Sequence, residues 1–353
     1  MKIRQIKNGP VMPKDAADPA HQKKNLSREQ RELKARFERI LTGVRKLVAD
    51  QGNYRTVSAV NKEWKPLAYF TNANGELDTC RSSIAVNKTT YYEYQIDVAR
   101  YESINEFIER LLYDEILESY TGKKPPNWFF QSYLSKAFND GINDTIQDIK
   151  NQSTPSLVGE IVSRQIQSIS TDEFNPQATQ SLALVYGRVF NEMKGLTDSM
   201  KVDLSETLTR GMADGLGIRA ISADVQKRVG VGFSRAQRIA RTEILGAYRT
   251  AQRAKTKEIN ETVFDDSPYE FKQLWFSALA ISSRKWHVSR HGQIYTQQEV
   301  EKFYSENGNS IQCLCSQSPI LVYRKTGKAV IDDTIKRMEA QKKAYQMARG
   351  IAA

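Results

Sequence analysis

Apolar positions recur every three or four residues along most of this chain, the period of an amphipathic helix. Leu33, Phe37, Ile40, Leu41, Val44, Leu47 and Val48 form one stripe. Ser27 with Gln30, a capping box, opens it, and Gln51-Gly52-Asn53 closes it, which predicts a helix to about Asp50. Ser103 with Glu106 opens a second helix through Phe107, Ile108, Leu111, Leu112 and Ile116. Gly122 to Pro126 breaks the chain, and residues 127–150 resume the helical period with Trp128, Phe129, Tyr133, Leu134, Phe138, Ile142 and Ile146. Residues 53–102 differ. They are rich in Thr, Tyr, Val and Ile, and Asn74-Gly75 is a hairpin-turn pair, so short strands are expected near 54–60, 67–71 and 89–98.

After a linker at Asn151 to Pro155, the pattern gives helices over 156–170 and 177–194. Gly195-Leu196-Thr197 separates the latter from a helix carrying Val202, Leu204 and Leu208. Ser222 caps a short helix that Gly230 and Gly232 end, and a long one follows over Phe233 to Lys257 with Ser234 at its N-cap. Ala236, Ala240, Ala247, Ala251 and Ala254 give that helix a small face suited to close packing. Glu243 lies on the same face, and a carboxylate is costly to bury unless something pairs with it. Arg284 and His287 are the expected partners. Further on, Phe271 to Phe276 and Ile281 to Val288 read as strand or irregular, and Arg290 to Gln293 as a turn. Thr296 with Glu299 caps a short helix, Ile320 to Tyr323 reads as a strand, and Asp332 caps a last helix.

The expected fold is mainly α: a multi-helix body with a small α+β C-terminal unit and basic flexible tails. The expected segments are a basic flexible arm (1–26), a mainly helical domain (27–150) with a short-strand insertion near 53–102, a domain over 156–325 (helices 156–258, α+β unit 259–325) and a basic C-terminal helix (326–353).

Charge sharpens the picture. The chain has 353 residues and a net charge of +11. The base is concentrated in residues 1–30, 235–257 and 321–353, and clustered base points to a polyanion such as double-stranded DNA, bound without sequence preference. Arg235, Arg238, Arg249, Arg253, Lys255 and Lys257 are the candidate DNA or partner contacts. Mean hydropathy is −0.57, and no apolar run reaches the roughly 18 residues of a membrane helix. The first 25 residues are basic without an apolar stretch, unlike a secretory signal. Three cysteines give no disulfide framework and fit a reducing cytosol.

The chain has only three histidines, and His287 and His291 lie close in sequence to Cys313 and Cys315. Imidazole and thiolate are the preferred ligands of zinc, so these four are the candidate metal set and a structural zinc the candidate cofactor. Against this, Cys-x-Cys is tighter than the usual spacing and Gly292 favours a turn. In the other reading, the cysteines point into a core and His287 pairs with an acid. There is no P-loop, dinucleotide fingerprint, Gly-x-Ser-x-Gly elbow or His-Glu-x-x-His, so no catalytic residues are assigned and a non-enzyme is expected. The alternatives are a zinc-containing nucleic-acid-binding protein and a metal-dependent nuclease or peptidase.

The order Ile239-Ala240-Arg241-Thr242-Glu243, Ala247, Ala251, Trp275, Arg284, His287, Gly292 and Cys313-Leu314-Cys315 resembles the C-terminal domain of phage head morphogenesis proteins, the minor capsid proteins of the phage Mu F-like group. Gly195-Leu196-Thr197 and Gly215-Leu216-Gly217-Ile218 fit the same pattern, and the resemblance covers about 155–320. It implies a low-copy virion component, made in the host cytoplasm, that associates with the portal and other head proteins inside the head, as an oligomer on the portal, and touches the packaged DNA. Glu243, Arg241, Arg284 and His287 would form a structural polar core. Two departures stand out: Ala278 to Ser283 contains no acid, and His291 stands where the family often has Asp.

Overall fold

The computed structural model describes residues 7–13, 15–49, 54–58, 68–71, 77–80, 90–94, 97–118, 128–169 and 176–350; of 54–58, 68–71, 77–80, 90–91 and 176–178 it describes the backbone alone. The chain is mainly α. It divides into two compact units, the first built from residues 1–33, 123–194 and 235–353, the second from 34–122 and 195–234. Each unit therefore draws on both of the long segments expected from sequence.

The second unit is a helical assembly. Its parts are the later residues of α1 (Lys23–Ala49), α2 (Val98–Leu112) with a π-helical turn at Tyr113–Leu117, and portions of two long helices, α6 (Pro176–Ala213) and α7 (Ile218–Thr262). Phe37, Ile40, Val44 and Val48 on α1 are buried, as are Ile104, Ile108 and Leu112, Leu204 and Leu208, and Val225 and Val229. Most of the stripe positions read from sequence are the core, but Phe107 and Val202 are exposed. Ion pairs lie at its edge: Arg36 with Glu118 (2.6 Å) and Lys201 with Glu109 (2.6 Å). Short antiparallel strand pairs occur where expected, β1 (Tyr54–Ser58) with β4 (Thr90–Tyr94) and β2 (Ala68–Thr71) with β3 (Leu77–Cys80). The Asn74-Gly75 turn lies outside the described residues.

The first unit is organised around a three-stranded antiparallel sheet of order β6-β5-β7: β5 (Tyr269–Phe276), β6 (Ile294–Tyr295) and β7 (Ser316–Tyr323). Strand β5 is central and covered on both faces. Leu274 and Phe276 pack on one side with Met12, Ile320, Val322 and Met338. Phe271 packs on the other with Ile149, Ile166, Ile259, Phe264 and Leu321. Two buried faces erase the polar/apolar alternation of a half-exposed strand. That explains why FKQLWF by itself fits strand or irregular backbone equally. The covering helices are α3 (Ser135–Gln152, after a π-helical turn at Phe130–Leu134), α5 (Glu160–Ser168, after the one-turn α4, Pro155–Val158), the later residues of α7, and α10 (Asp333–Ala348). Between them come α8 (Lys285–Val288) and α9 (Gln297–Ser305), the latter opened by the expected Thr296/Glu299 capping box.

Four local readings are corrected. First, α6 and α7 run unbroken for 38 and 45 residues, through Gly195 to Thr197 and through Gly230 and Gly232. Glycine inside a helix costs only about 1 kcal/mol, which packing outweighs. A Cβ at Gly232 would lie 2.6 Å from the Met200 sulfur, so that glycine permits close packing. Ser234 is accordingly mid-helix, its Oγ donating to Gly230 O. Second, α1 starts at Lys23, because the Asp18 carboxylate accepts from the Gln22 and Lys23 amides. Third, the expected arm is in part anchored in the first unit: Met12 and Ala20 are buried, and the Val11 amide donates to Asp148 Oδ1 at 2.8 Å. Fourth, the Asn151–Pro155 linker is partly core. The Gln152 side chain donates from Nε2 to Pro319 O (2.8 Å) and accepts at Oε1 from Leu321 N (3.0 Å), meeting the backbone of edge strand β7 as another strand would.

Candidate functional site

Helix α7 supplies one wall of the site. Its alanine face does what the spacing predicts: Ala236, Ala240, Ala247 and Ala251 are fully buried. Against it lies Gly141 of α3, where a Cβ would fall 2.4 Å from Tyr248 O and 3.0 Å from Ala251 Cβ. The two backbones touch at small residues.

Glu243 on this helix is buried, but its partner is neither Arg284 nor His287. Arg188 of α6 donates to Glu243 Oε2 from Nε (3.0 Å) and Nη2 (2.6 Å). Arg284 is occupied by backbone instead, donating to the carbonyls of Asn309 (3.3 Å) and Ile311 (3.0 Å). The basic residues of α7 are also divided by burial. Arg249 is 2% exposed and Lys255 7%, and Lys255 is paired with Glu258 at 2.8 Å. Arg253 is largely buried, near Thr250 and Glu301. Only Arg235, Arg238 and Lys257 of the six candidate contacts are exposed. Periodicity could not separate the two groups, because α7 is covered on most of its circumference.

The cysteines and one histidine come together. The single turn α8 carries His287. Cys313 and Cys315 lie in the segment that leads into β7, and the Cys315 amide is 3.3 Å from Cys313 Sγ. His287 Nδ1 lies 3.3 Å from Cys313 Sγ and 3.6 Å from Cys315 Sγ, and all three ligand atoms lie within 4.8 Å of one another. All three residues are buried, against Trp275, Val300 and Phe303. They line a cavity of about 190 Å³ together with Arg241, Ser283, Arg284 and Gln312.

His291 is not among them. Helix α8 ends at Val288, and Gly292, at φ +79°, turns the chain away; its conformation suits glycine. His291 Nδ1 accepts from the Ser277 amide at 3.0 Å, and burial lowers its pKa from 6.5 to about 4. The four-ligand set expected from sequence is thus a three-residue set, with His291 a neutral acceptor inside the fold.

Two neighbours carry no signal in the sequence. Arg249 reaches from α7 to Cys313 O (3.4 Å) and lies 4.4 Å over the Tyr304 ring. Tyr304 Oη lies 3.9 Å from Cys313 Sγ and accepts from Gln317 Nε2. A buried guanidinium without a carboxylate needs other negative charge. The cysteines lie beside it: the hydrogen bond from Cys315, then that from His287 and the charge of Arg249, lower the pKa of the Cys313 thiol, while that of Cys315 is raised. A polar residue at a buried helical position is the mark of such a neighbour, and it is invisible until burial is known.

No curated protein and no solved structure matches the chain. Residues 202–318, which hold helix α7, strands β5 and β6, the start of β7 and the His287–Cys313–Cys315 cluster, match the family model described as Phage Mu protein F like protein, and this match supports a phage Mu F-like head morphogenesis domain in that segment.

Proposed function

We propose that the protein is a structural component of a phage head, present in few copies, that associates with the portal and the inner head and contacts DNA electrostatically. The observation that carries this reading is the family match over residues 202–318. The described residues contain no helix long and apolar enough to cross a membrane. The DNA contact is supported by the exposed Arg235, Arg238 and Lys257 on α7 and by exposed base on and before α10, including Lys325, Lys328, Lys336, Arg337 and Lys343. Phosphate contacts by such residues are independent of sequence and weaken with salt.

The test is assembly in a host carrying the phage genome with this gene deleted. Heads made without the protein are expected to be defective in assembly or DNA content. The tagged protein should co-purify with portal-containing procapsids at a few copies per particle. Normal, infectious heads lacking the protein would overturn the reading.

A further inference from the structure

We infer that His287, Cys313 and Cys315 form a three-ligand zinc site whose fourth vertex opens into the adjoining cavity. The inference is independent of the role in the phage head, since it rests on the chemistry and spacing of the donors alone.

The spacing comes first. In a tetrahedral site with Zn–S of about 2.3 Å and Zn–N of about 2.0 Å, sulfur and nitrogen ligands stand roughly 3.5 Å apart. His287 Nδ1 lies 3.3 Å and 3.6 Å from the two sulfurs. Both nitrogen–sulfur edges thus match those of a zinc tetrahedron, and the sulfur–sulfur edge is no longer than 4.8 Å. Cys-x-Cys, tighter than the usual zinc spacing, suffices here because both sulfurs come within 3.6 Å of His287 Nδ1.

The surroundings fit a loaded site. The Cys315 amide approaches Cys313 Sγ at 3.3 Å, the kind of N–H to sulfur bond that steadies a metal-bound thiolate. Arg249 lies behind Cys313, and Trp275, Val300 and Phe303 form a dry wall. Two thiolates and one neutral imidazole cancel the charge of a zinc ion. The cavity at the fourth corner is lined by Arg241 and Arg284, with Ser282, Ser283 and Gln312. Cationic walls around a Lewis acid favour an oxygen anion, either hydroxide from water or one oxygen of a phosphate or carboxylate. Loading has one local consequence. With the metal on Nδ1, the His287 proton sits on Nε2, so the 3.4 Å approach of Arg284 Nη1 to that atom becomes donor against donor. Arg284 keeps its carbonyl partners, and this approach opens.

The experiment uses the full-length chain, purified without a metal-affinity column. Elemental analysis is expected to find one zinc per chain. The reduced, chelator-treated protein is then titrated with Co²⁺. Intense tetrahedral d–d bands with thiolate-to-cobalt charge transfer are expected at one equivalent. Cys315→Ser should lower the charge-transfer band by about half, as one of two thiolates is removed. Cys80→Ser and His291→Asn should leave it unchanged. Added inorganic phosphate should shift the d–d bands if the fourth vertex is open. A wild-type protein that is folded by circular dichroism yet binds no Co²⁺ would overturn the site. A charge-transfer band that disappears in Cys80→Ser would do the same. Bands unmoved by phosphate and pH would overturn the open vertex.

Discussion

Arg188 and Glu243 meet through two hydrogen bonds on a single carboxylate oxygen, joining α6 to α7 within the first unit. The acid is 9% exposed at its side chain and the arginine 54%. The pair is therefore asymmetric: water still reaches the cation, whereas the carboxylate depends on it. Arg188→Ala should cost about 1–3 kcal/mol, less than a fully buried pair would because the guanidinium is partly solvated. Glu243→Gln should cost less, since it leaves no charge behind. Urea unfolding of the two single variants and the double variant reads the coupling. Additive effects would mean that the two residues do not interact.

The approach of the two helices at Gly141 admits no side chain. Gly141→Ala would drive a methyl group to 2.4 Å from Tyr248 O, a backbone atom that cannot rotate away. The helix propensity gained by alanine is about 1 kcal/mol, and overpacking of this kind costs about 1–3 kcal/mol or more, so the net effect is destabilising. Gly195→Ala, where a Cβ meets nothing, should stabilise instead. Thermal melts of the two variants should move in opposite directions.

Buried titratable groups give two opposed pH dependences. His291 has its pKa lowered to about 4, so between about 6.5 and 4 the unfolded chain binds a proton that the folded chain does not, and stability falls with pH through that window. Glu29 is raised to about 8 by burial and Asp148 to about 7. Above the ordinary glutamate value of 4.5, the unfolded chain releases the Glu29 proton first, and stability falls as pH rises toward 8. His291→Asn, which keeps an acceptor for the Ser277 amide, should flatten the acid limb. Glu29→Gln should raise stability at pH 8 by about 1 kcal/mol or more and have little effect near pH 4. Denaturant midpoints across pH 4 to 8 test both.

Burial divides the basic residues of α7 into two experimental classes. Replacing Arg235, Arg238 and Lys257 together with alanine should leave the fold intact. It should also reduce the salt slope of DNA binding by about 0.9 for each phosphate that is no longer neutralised. Arg249→Ala should act on stability, because Arg249 is 2% exposed and lies against Cys313 O and Tyr304. A weakened DNA complex in a fully stable Arg249→Ala protein would contradict this division.

Local pattern and chemical type were legible in the sequence. The stripe Phe37–Ile40–Val44–Val48, the alanine face of α7 and the Thr296/Glu299 cap are where their spacing put them. These features depend on neighbours within a turn or two, which the order of residues specifies directly. His287, Cys313 and Cys315 were legible as a group because histidine and cysteine are scarce here. So was the resemblance that residues 202–318 bear out.

Tertiary structure decided the rest. Whether Gly195 or Gly230 breaks a helix depends on whether packing along α6 and α7 outweighs a cost of about 1 kcal/mol per glycine. Which arginine meets Glu243, which of two histidines faces the cysteines, and which lysines reach water are questions of direction in space. Each turns on where a helix ends or what covers it, as when the turn at Gly292 sends His291 to Ser277 and leaves His287 with the sulfurs. The sequence by itself determined the helices, their apolar faces and the donor atoms. Only the fold determined the partners, because burial and pairing are set by contacts between residues far apart in the chain.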